Sequence, residues 1–215
     1  MGPVLCLISD RRRFGPAGER LLVAHVAAAA AAGVHLVQVR ERDLDGAALL
    51  TLVRRCLDAV RGTRTRVVVN DRLDVALAAG AHGVHLRGDS MPAPDVRRHA
   101  GRPFLIGRSV HALDEATAVS ASGAADYLLF GTVFESASKP GHPPAGLAHL
   151  EQVARSVRIP VLAVGGVTVE RLAAIGGAGA AGGAGIGLFL DTPVEKLRKT
   201  MDAARAAFDT PGAAP

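Results

Sequence analysis

Apolar and polar positions come in blocks along this chain: short hydrophobic runs closed by polar residues, each followed by a longer stretch of helical composition. Val4 to Ser9 is the first such run, ended by Ser9-Asp10. An alanine-rich stretch from Pro16 to Ala32 follows, predicted as a helix with Pro near its first turn and Gly33 as its stop. Val34 to Arg40 sets Val34, Leu36 and Val37 against His35 and Gln38. Asp45 predicts the cap of a helix running to about Arg61, and Val67-Val68-Val69 a strand leading into Asn70-Asp71-Arg72. Asp74 to Ala79 reads as a short helix, Gly83 to Leu86 as a short strand, and Pro92 to His99 as a helix.

The stretch from Phe104 to Lys139 gives the plainest pattern of strand, helix, strand and polar loop. Phe104 to Gly107 is apolar and closes with Arg108-Ser109-Val110-His111. Leu113 to Ser122 is helical in composition, with Asp114 and Glu115 in its first turn, where carboxylates suit the exposed N–H groups. Asp126 to Gly131 is a second apolar run, followed by a loop with two serines and a lysine. A unit of this kind has parallel strands and a right-handed crossover, so both loops after the strands leave on one edge of the sheet. That places His111 and the Ser136 to Lys139 loop on one face.

Beyond it, Leu147 to Val157 predicts a helix, Pro160 to Val164 a strand ending in Gly165-Gly166, and Val169 to Ile175 a helix. Gly182 to Ile186 reads as a last strand and Pro193 to Phe208 as a last helix. Eight strand-then-helix units with no long linker predict a (β/α)₈ TIM barrel in one domain over residues 1–209, with a flexible Pro/Gly/Ala tail at 210–215. A doubly wound open sheet competes, but it usually opens on G-x-G-x-x-G and has fewer repeats.

Composition narrows the class. Apolar residues make up 49% of the chain and aromatic ones only 3%, so Val, Leu, Ile and Ala must build the core. The net charge is +5, and Arg outnumbers Lys by 22 to 3. These arginines are scattered, without aromatic interleaving or a nucleic-acid motif, so no nucleic-acid partner is expected. Cys6 and Cys56 lack C-x-x-C spacing and read as core residues in a reducing compartment. The amino terminus lacks the basic and apolar regions of a secretion signal. The apolar segment around Ala27 to Ala32 falls far short of the roughly 20 residues of a membrane span. No membrane association and a cytoplasmic location are expected; a homo-oligomer is left open.

In a barrel, functional residues lie where strands end at their carboxyl edge. Ser9, Asp10, Gln38, Arg40, Arg42, Asn70, Asp71, His85, Asp89, Ser109, His111, Ser136, Ser138 and Lys139 fall there, a polar set suited to a small anionic substrate. Phosphate needs backbone N–H donors with no side chain in the way, which Gly165 and Gly166 provide, joined by Ile186 and Gly187 after the last strand. His111 is the candidate for proton transfer, since an unperturbed imidazole titrates near pH 6.5. Asp71 and Asp89 together suit Mg²⁺, whereas no His/Cys cluster has ligand spacing.

These residues resemble the thiamine phosphate synthase superfamily, which comprises the synthase and its relative TenI, the thiazole tautomerase. The resemblance rests on QVRER at 38–42, VND at 69–71, GVHL at 83–86, IGRSVH at 106–111, ADYLLFGTVFE at 126–135 and AVGGV at 163–167. It implies the same barrel. Synthases of this superfamily carry Lys where Arg42 stands, and an ungapped reading of GVHLRGDSMP puts Ser90 at the second metal-binding Asp, with Asp89 one residue early. A hydroxyl in place of a carboxylate weakens a hard-cation site.

The expectation drawn from these departures, and from RSVHALDEA followed by DYLLFGTVFES, which resembles the tautomerase branch, is a thiazole tautomerase. It would aromatise a carboxythiazolylidene-ethyl phosphate by moving a proton from ring carbon C2 to the exocyclic carbon, with no cofactor. The resemblance then implies His111 as acid/base and Gln38, Arg40, Asn70, Ser109, Ser136 and Lys139 on the thiazole phosphate carboxylate. Gly165, Gly166, Ile186 and Gly187 would bind its phosphate. Two alternatives remain: a Mg²⁺-dependent thiamine phosphate synthase, which joins hydroxymethylpyrimidine diphosphate to thiazole phosphate, and a non-catalytic binding member. Asp71 and Asp89 would carry metal only in the synthase.

Overall fold

A computed structural model describes residues 2–136, 141 and 143–209. Eight parallel strands close into a barrel in chain order: β1 (Val4–Ile8), β2 (Leu36–Val39), β3 (Arg66–Asn70), β4 (Gly83–Leu86), β5 (Leu105–Val110), β6 (Tyr127–Phe130), β7 (Val161–Val164) and β8 (Gly182–Gly185). The ring is completed by Val4 beside Gly182 and Leu7 beside Gly185. Helices α1 (Gly18–Ala31), α2 (Gly46–Ala59), α3 (Leu73–Ala79), α4 (Ala93–Ala100), α5 (Leu113–Ala121), α6 (Gly146–Ser156) and α7 (Leu172–Gly177) alternate with the strands. Two more, α8 (Gly187–Leu190) and α9 (Leu197–Asp209), follow β8. The predicted (β/α)₈ TIM barrel is therefore the fold.

Alternation along each strand separates two apolar layers. Leu5 and Leu7 of β1 pack outward with Leu22 and Val26 of α1 and with Leu49, Leu52 and Val53 of α2. Cys6 and Ile8 point the other way, into a second cluster drawn from strands alone, with Leu36, Tyr127, Leu129, Leu162 and Ala184. That cluster fills the barrel interior. Both cysteines are buried and unpaired, and burial pushes each thiol up to about 12. They behave as small apolar side chains.

Local signals explain most boundaries. Asp45 caps α2, its Oδ1 accepting from Ala48 N at 2.8 Å, and Gly80 ends α3 in the left-handed conformation. Glycine is required in the Gly-Gly-Ala-Gly strand β8 where its neighbour leaves no room: a Cβ at Gly182 would collide with the Val4 backbone.

Two predicted elements need correction, and one helix was not predicted. Pro16 does not open the first helix: residues Arg11–Ala17 form a 3₁₀ segment and α1 starts at Gly18, which packs against the Arg11 carbonyl. The final helix starts at Leu197 after a separate 3₁₀ turn at Val194–Lys196, and Pro193 lies outside both in extended backbone (ψ 141°), its carbonyl accepting from Lys196 N at 2.9 Å. The four-residue α8 is too short to show periodicity in the sequence. The tail at 210–215 lies outside the described residues. No helix among those described is long and apolar enough to cross a membrane.

Candidate active site at the carboxyl end of the barrel

The loop after β1 is tied to the loop after β2 by a buried carboxylate. Glu41 Oε1 accepts from the Ser9 hydroxyl at 2.5 Å and from Arg11 N at 3.1 Å, and Oε2 from the Arg11 guanidinium at 3.1 Å. Ser9 Oγ in turn accepts from Arg40 N at 2.8 Å. Arg11 also forks onto Asp43 at 2.7 and 2.9 Å, which holds that carboxyl down to about 2. This frame fixes the Arg40 backbone while its guanidinium stays half-buried, without a hydrogen bond or ion pair to any described residue. Burial, then the neighbouring Arg42 charge, lowers the Arg40 pKa.

Around the rim, Gln38 Nε2 donates to Asn70 Oδ1 at 3.3 Å. Asn70 lies beside His85 across β3 and β4, and His85 lies beside Gly107 across β4 and β5. The missing side chain at Gly107 makes room inside the barrel, where a Cβ would overlap the Tyr127 phenol and the His85 ring. His85 is buried between two hydroxyls, Nε2 2.8 Å from Ser109 Oγ and Nδ1 3.2 Å from Tyr127 OH. Burial pushes its pKa down to about 3, opposed by Asp71 and reinforced by Arg108 and Arg40. The ring is a neutral hydrogen-bond bridge.

Asp71 follows β3 with φ 62°, a conformation that Asp tolerates better than most residues. Its Oδ1 is buried with no hydrogen-bond partner among the described residues. Its Oδ2 lies 2.9 Å from Arg87 Nε. Arg87 also reaches Asp89 Oδ2 at 3.1 Å, and Arg108 pins the β4 loop by donating to the carbonyls of Gly88 and Met91, each at 2.8 Å.

On the opposite arc, His111 follows β5 and is exposed; its Nδ1 donates to the Gly131 carbonyl at 2.5 Å. Its backbone N–H donates to Glu115 Oε2 at 2.7 Å, so that first-turn carboxylate reaches back to the loop. Gly165 (φ 93°) and Gly166 (φ 64°) follow β7 in the left-handed region. Side chains there would strike Thr132 and the Glu135 carbonyl of the β6 loop. Their carbonyls bind Phe134 N at 3.2 Å and Arg171 at 2.6 Å, while no described residue accepts from their N–H groups. Ser136 is half-buried in the β6 loop, and Ile186 and Gly187 join β8 to α8. Ser138 and Lys139 lie outside the described residues.

All the described candidates thus occupy one end of the barrel. The strand-end reading singled out neither Glu41 nor Arg87 and Arg108 as site residues. Glu41 sits in the QVRER stretch as an ordinary charged residue, and the arginines resemble the many surface ones.

The comparisons decide the family. The family model described as thiamine monophosphate synthase matches residues 5–188. The chain belongs to that family. A thiamine-phosphate synthase of Anaeromyxobacter dehalogenans is 42% identical over 191 residues, covering 86% of this chain and 85% of the relative. That of Roseiflexus castenholzii is 39% identical, covering 88% and 82%. The thiamine phosphate pyrophosphorylase structure from Pyrococcus furiosus superposes with a TM-score of 0.81 at 30% identity, over 95% of each chain.

These relatives overturn the tautomerase expectation. That expectation gave Ser90 in place of a carboxylate too much weight. Mg²⁺ is held by one or two protein carboxylates and takes its remaining ligands from water and substrate phosphates, so one lost Asp does not abolish such a site.

Proposed function

We propose that this protein is a thiamine phosphate synthase, joining hydroxymethylpyrimidine diphosphate to thiazole phosphate with release of diphosphate. The observation that carries the reading is Asp71, whose buried Oδ1 lacks a hydrogen-bond partner among the described residues, at the same end of the barrel as a half-buried Arg40 whose guanidinium has no hydrogen bond or ion pair to any described residue. A carboxylate oxygen left open among arginines is unfavourable unless a ligand completes it. Anionic substrate together with a cation does so.

The residues suit Mg²⁺. Asp71 offers an open oxygen and Asp89 a nearby exposed carboxylate; among the described residues no cluster of three or more His, Cys, Asp or Glu side chains competes. Mg²⁺ held by Asp71 would supply charge neutralisation to the leaving diphosphate. Arg40, with its backbone locked by Ser9, orients a phosphate oxygen through its planar fork. Gln38 and Asn70 present amide groups to the pyrimidine, and neutral His85 holds the Ser109 hydroxyl in place. Gly165 and Gly166, with the backbone at Ile186 and Gly187, receive the thiazole phosphate, the position barrels often use after strands seven and eight. Ser136, on the β6 loop, is a further candidate for contact with the same substrates, and Lys139 lies outside the described residues. His111 serves as a positioning residue that holds that loop through Gly131. Bringing two substrates together in this way replaces a bimolecular encounter by an oriented one.

The test is direct: purified protein, both substrates and Mg²⁺, with product followed by chromatography. Thiamine phosphate formed at a rate proportional to protein, and abolished by chelator, is expected; formation no faster than in a protein-free control would defeat the reading.

A further inference from the structure

Arg87 stands where the site calls for a cation. Its Nε is 2.9 Å from Asp71 Oδ2, and a terminal nitrogen is 3.1 Å from Asp89 Oδ2, so one guanidinium bridges two carboxylates. The fit is incomplete: Arg87 Nε and Asp71 Oδ1 are both buried without a hydrogen-bond partner among the described residues. Charge holds this pair more than direction does, whereas a well-formed bidentate pair satisfies both groups. The loop beneath is fixed independently by Arg108, and the Arg87 side chain is 40% exposed. The guanidinium can therefore leave without the loop moving.

Building on the synthase reading for the identity of the cation, we propose that Arg87 is an internal cation that occupies the Asp71–Asp89 pair in the substrate-free protein. A divalent ion must displace it. A guanidinium left in place repels an incoming dication at short range, so Arg87 weakens cation binding until it moves away. An anionic substrate gives it a place to go, because guanidinium forks match phosphate oxygens. The metal then loads with the diphosphate and poorly before it.

The experiment uses Mn²⁺ as probe, with free Mn²⁺ measured by electron paramagnetic resonance against the substrate-free, full-length protein. Arg87→Ala and Arg87→Met, the second keeping the aliphatic stem, should each bind Mn²⁺ roughly tenfold tighter than wild type, a change worth about 1.4 kcal/mol. Adding Asp71→Asn to either variant should erase the gain. Unchanged or weaker binding in both arginine variants, no Mn²⁺ binding in any protein, or a gain that survives Asp71→Asn overturns the proposal. Thiamine phosphate formation by the wild type, measured in parallel, separates the two readings. Product without a gain in Mn²⁺ affinity sinks the role of Arg87 alone, and a gain without product supports it while sinking the synthase.

Discussion

The Ser9 hydroxyl lies 2.5 Å from Glu41 Oε1, and both residues are buried. Because Ser9 also receives Arg40 N, and Glu41 receives Arg11 through backbone and side chain, this contact sets where β1 and β2 deliver their loops. Removing the carboxylate leaves a buried hydroxyl and an arginine short of its acceptor. Glu41→Ala should cost about 3 kcal/mol, near the low end for a broken buried pair because Arg11 keeps Asp43. For a chain of this size that is roughly 6–12 °C in melting temperature by calorimetry; a melt unchanged from wild type would refute the account.

Asp71→Asn offers a clean removal of charge, since Asn also tolerates the left-handed backbone found there. Stability should stay within about 1 kcal/mol of wild type. Mg²⁺-dependent product formation should fall beyond the roughly 10- to 100-fold that loss of an outer-shell partner costs. Steady-state rates over a Mg²⁺ series would check this, and wild-type kinetics at all concentrations would refute it.

His85 makes stability depend on pH in one direction. The unfolded imidazole takes a proton near pH 6.5, whereas burial holds the folded one down to about 3. Between those values the unfolded state binds more protons, so stability is full above pH 6.5 and declines as the pH falls towards 3, by up to about 1.4 kcal/mol per unit. His35 and His82 are shifted the same way by partial burial and add to the decline. Urea unfolding at pH 7 and pH 4.5 should show a smaller pH loss for His85→Gln than for wild type; an identical loss would remove His85 from the explanation.

Gly166→Ala places a methyl group against the Glu135 carbonyl and Phe134 Cβ at a φ of 64°. The backbone must shift, at a cost of about 1–3 kcal/mol. A displaced phosphate contact worth about 1.4 kcal/mol should raise the KM for thiazole phosphate roughly tenfold. The KM for the diphosphate substrate should change less. Equal increases for both substrates would mean that the glycines serve the fold and not the phosphate.

Short-range patterns were legible in the chain. Apolar runs ended by polar residues located all eight strands, and Asp45 and Gly33 marked a cap and a turn because their effects act within a few residues. Even β8, nearly all glycine, was visible as the last repeat. The expected site residues were found by one rule, that functional side chains follow strands, and the barrel gathers the described ones at one end. What escaped were roles made by distant partners: Glu41 with Ser9 and Arg11, Arg87 with Asp71, Arg108 with the β4 loop. The family motifs were read correctly, yet the choice of reaction went wrong over local departures, Arg42 and Ser90, and over the RSVHALDEA and DYLLFGTVFES stretches, none of which decides the chemistry by itself.

By itself the sequence determined the repeating strand and helix order, the closed barrel that eight such units favour, and the family, because periodicity and turn chemistry are local and survive in one dimension. Only the tertiary structure decided which charges meet. Of 22 arginines it sets more than half against particular carboxylates, leaves the Arg40 guanidinium without a hydrogen bond or ion pair to any described residue, and opens one oxygen of Asp71. Those outcomes depend on desolvation and on distances across strands about 30 residues apart, which no spacing along the chain encodes.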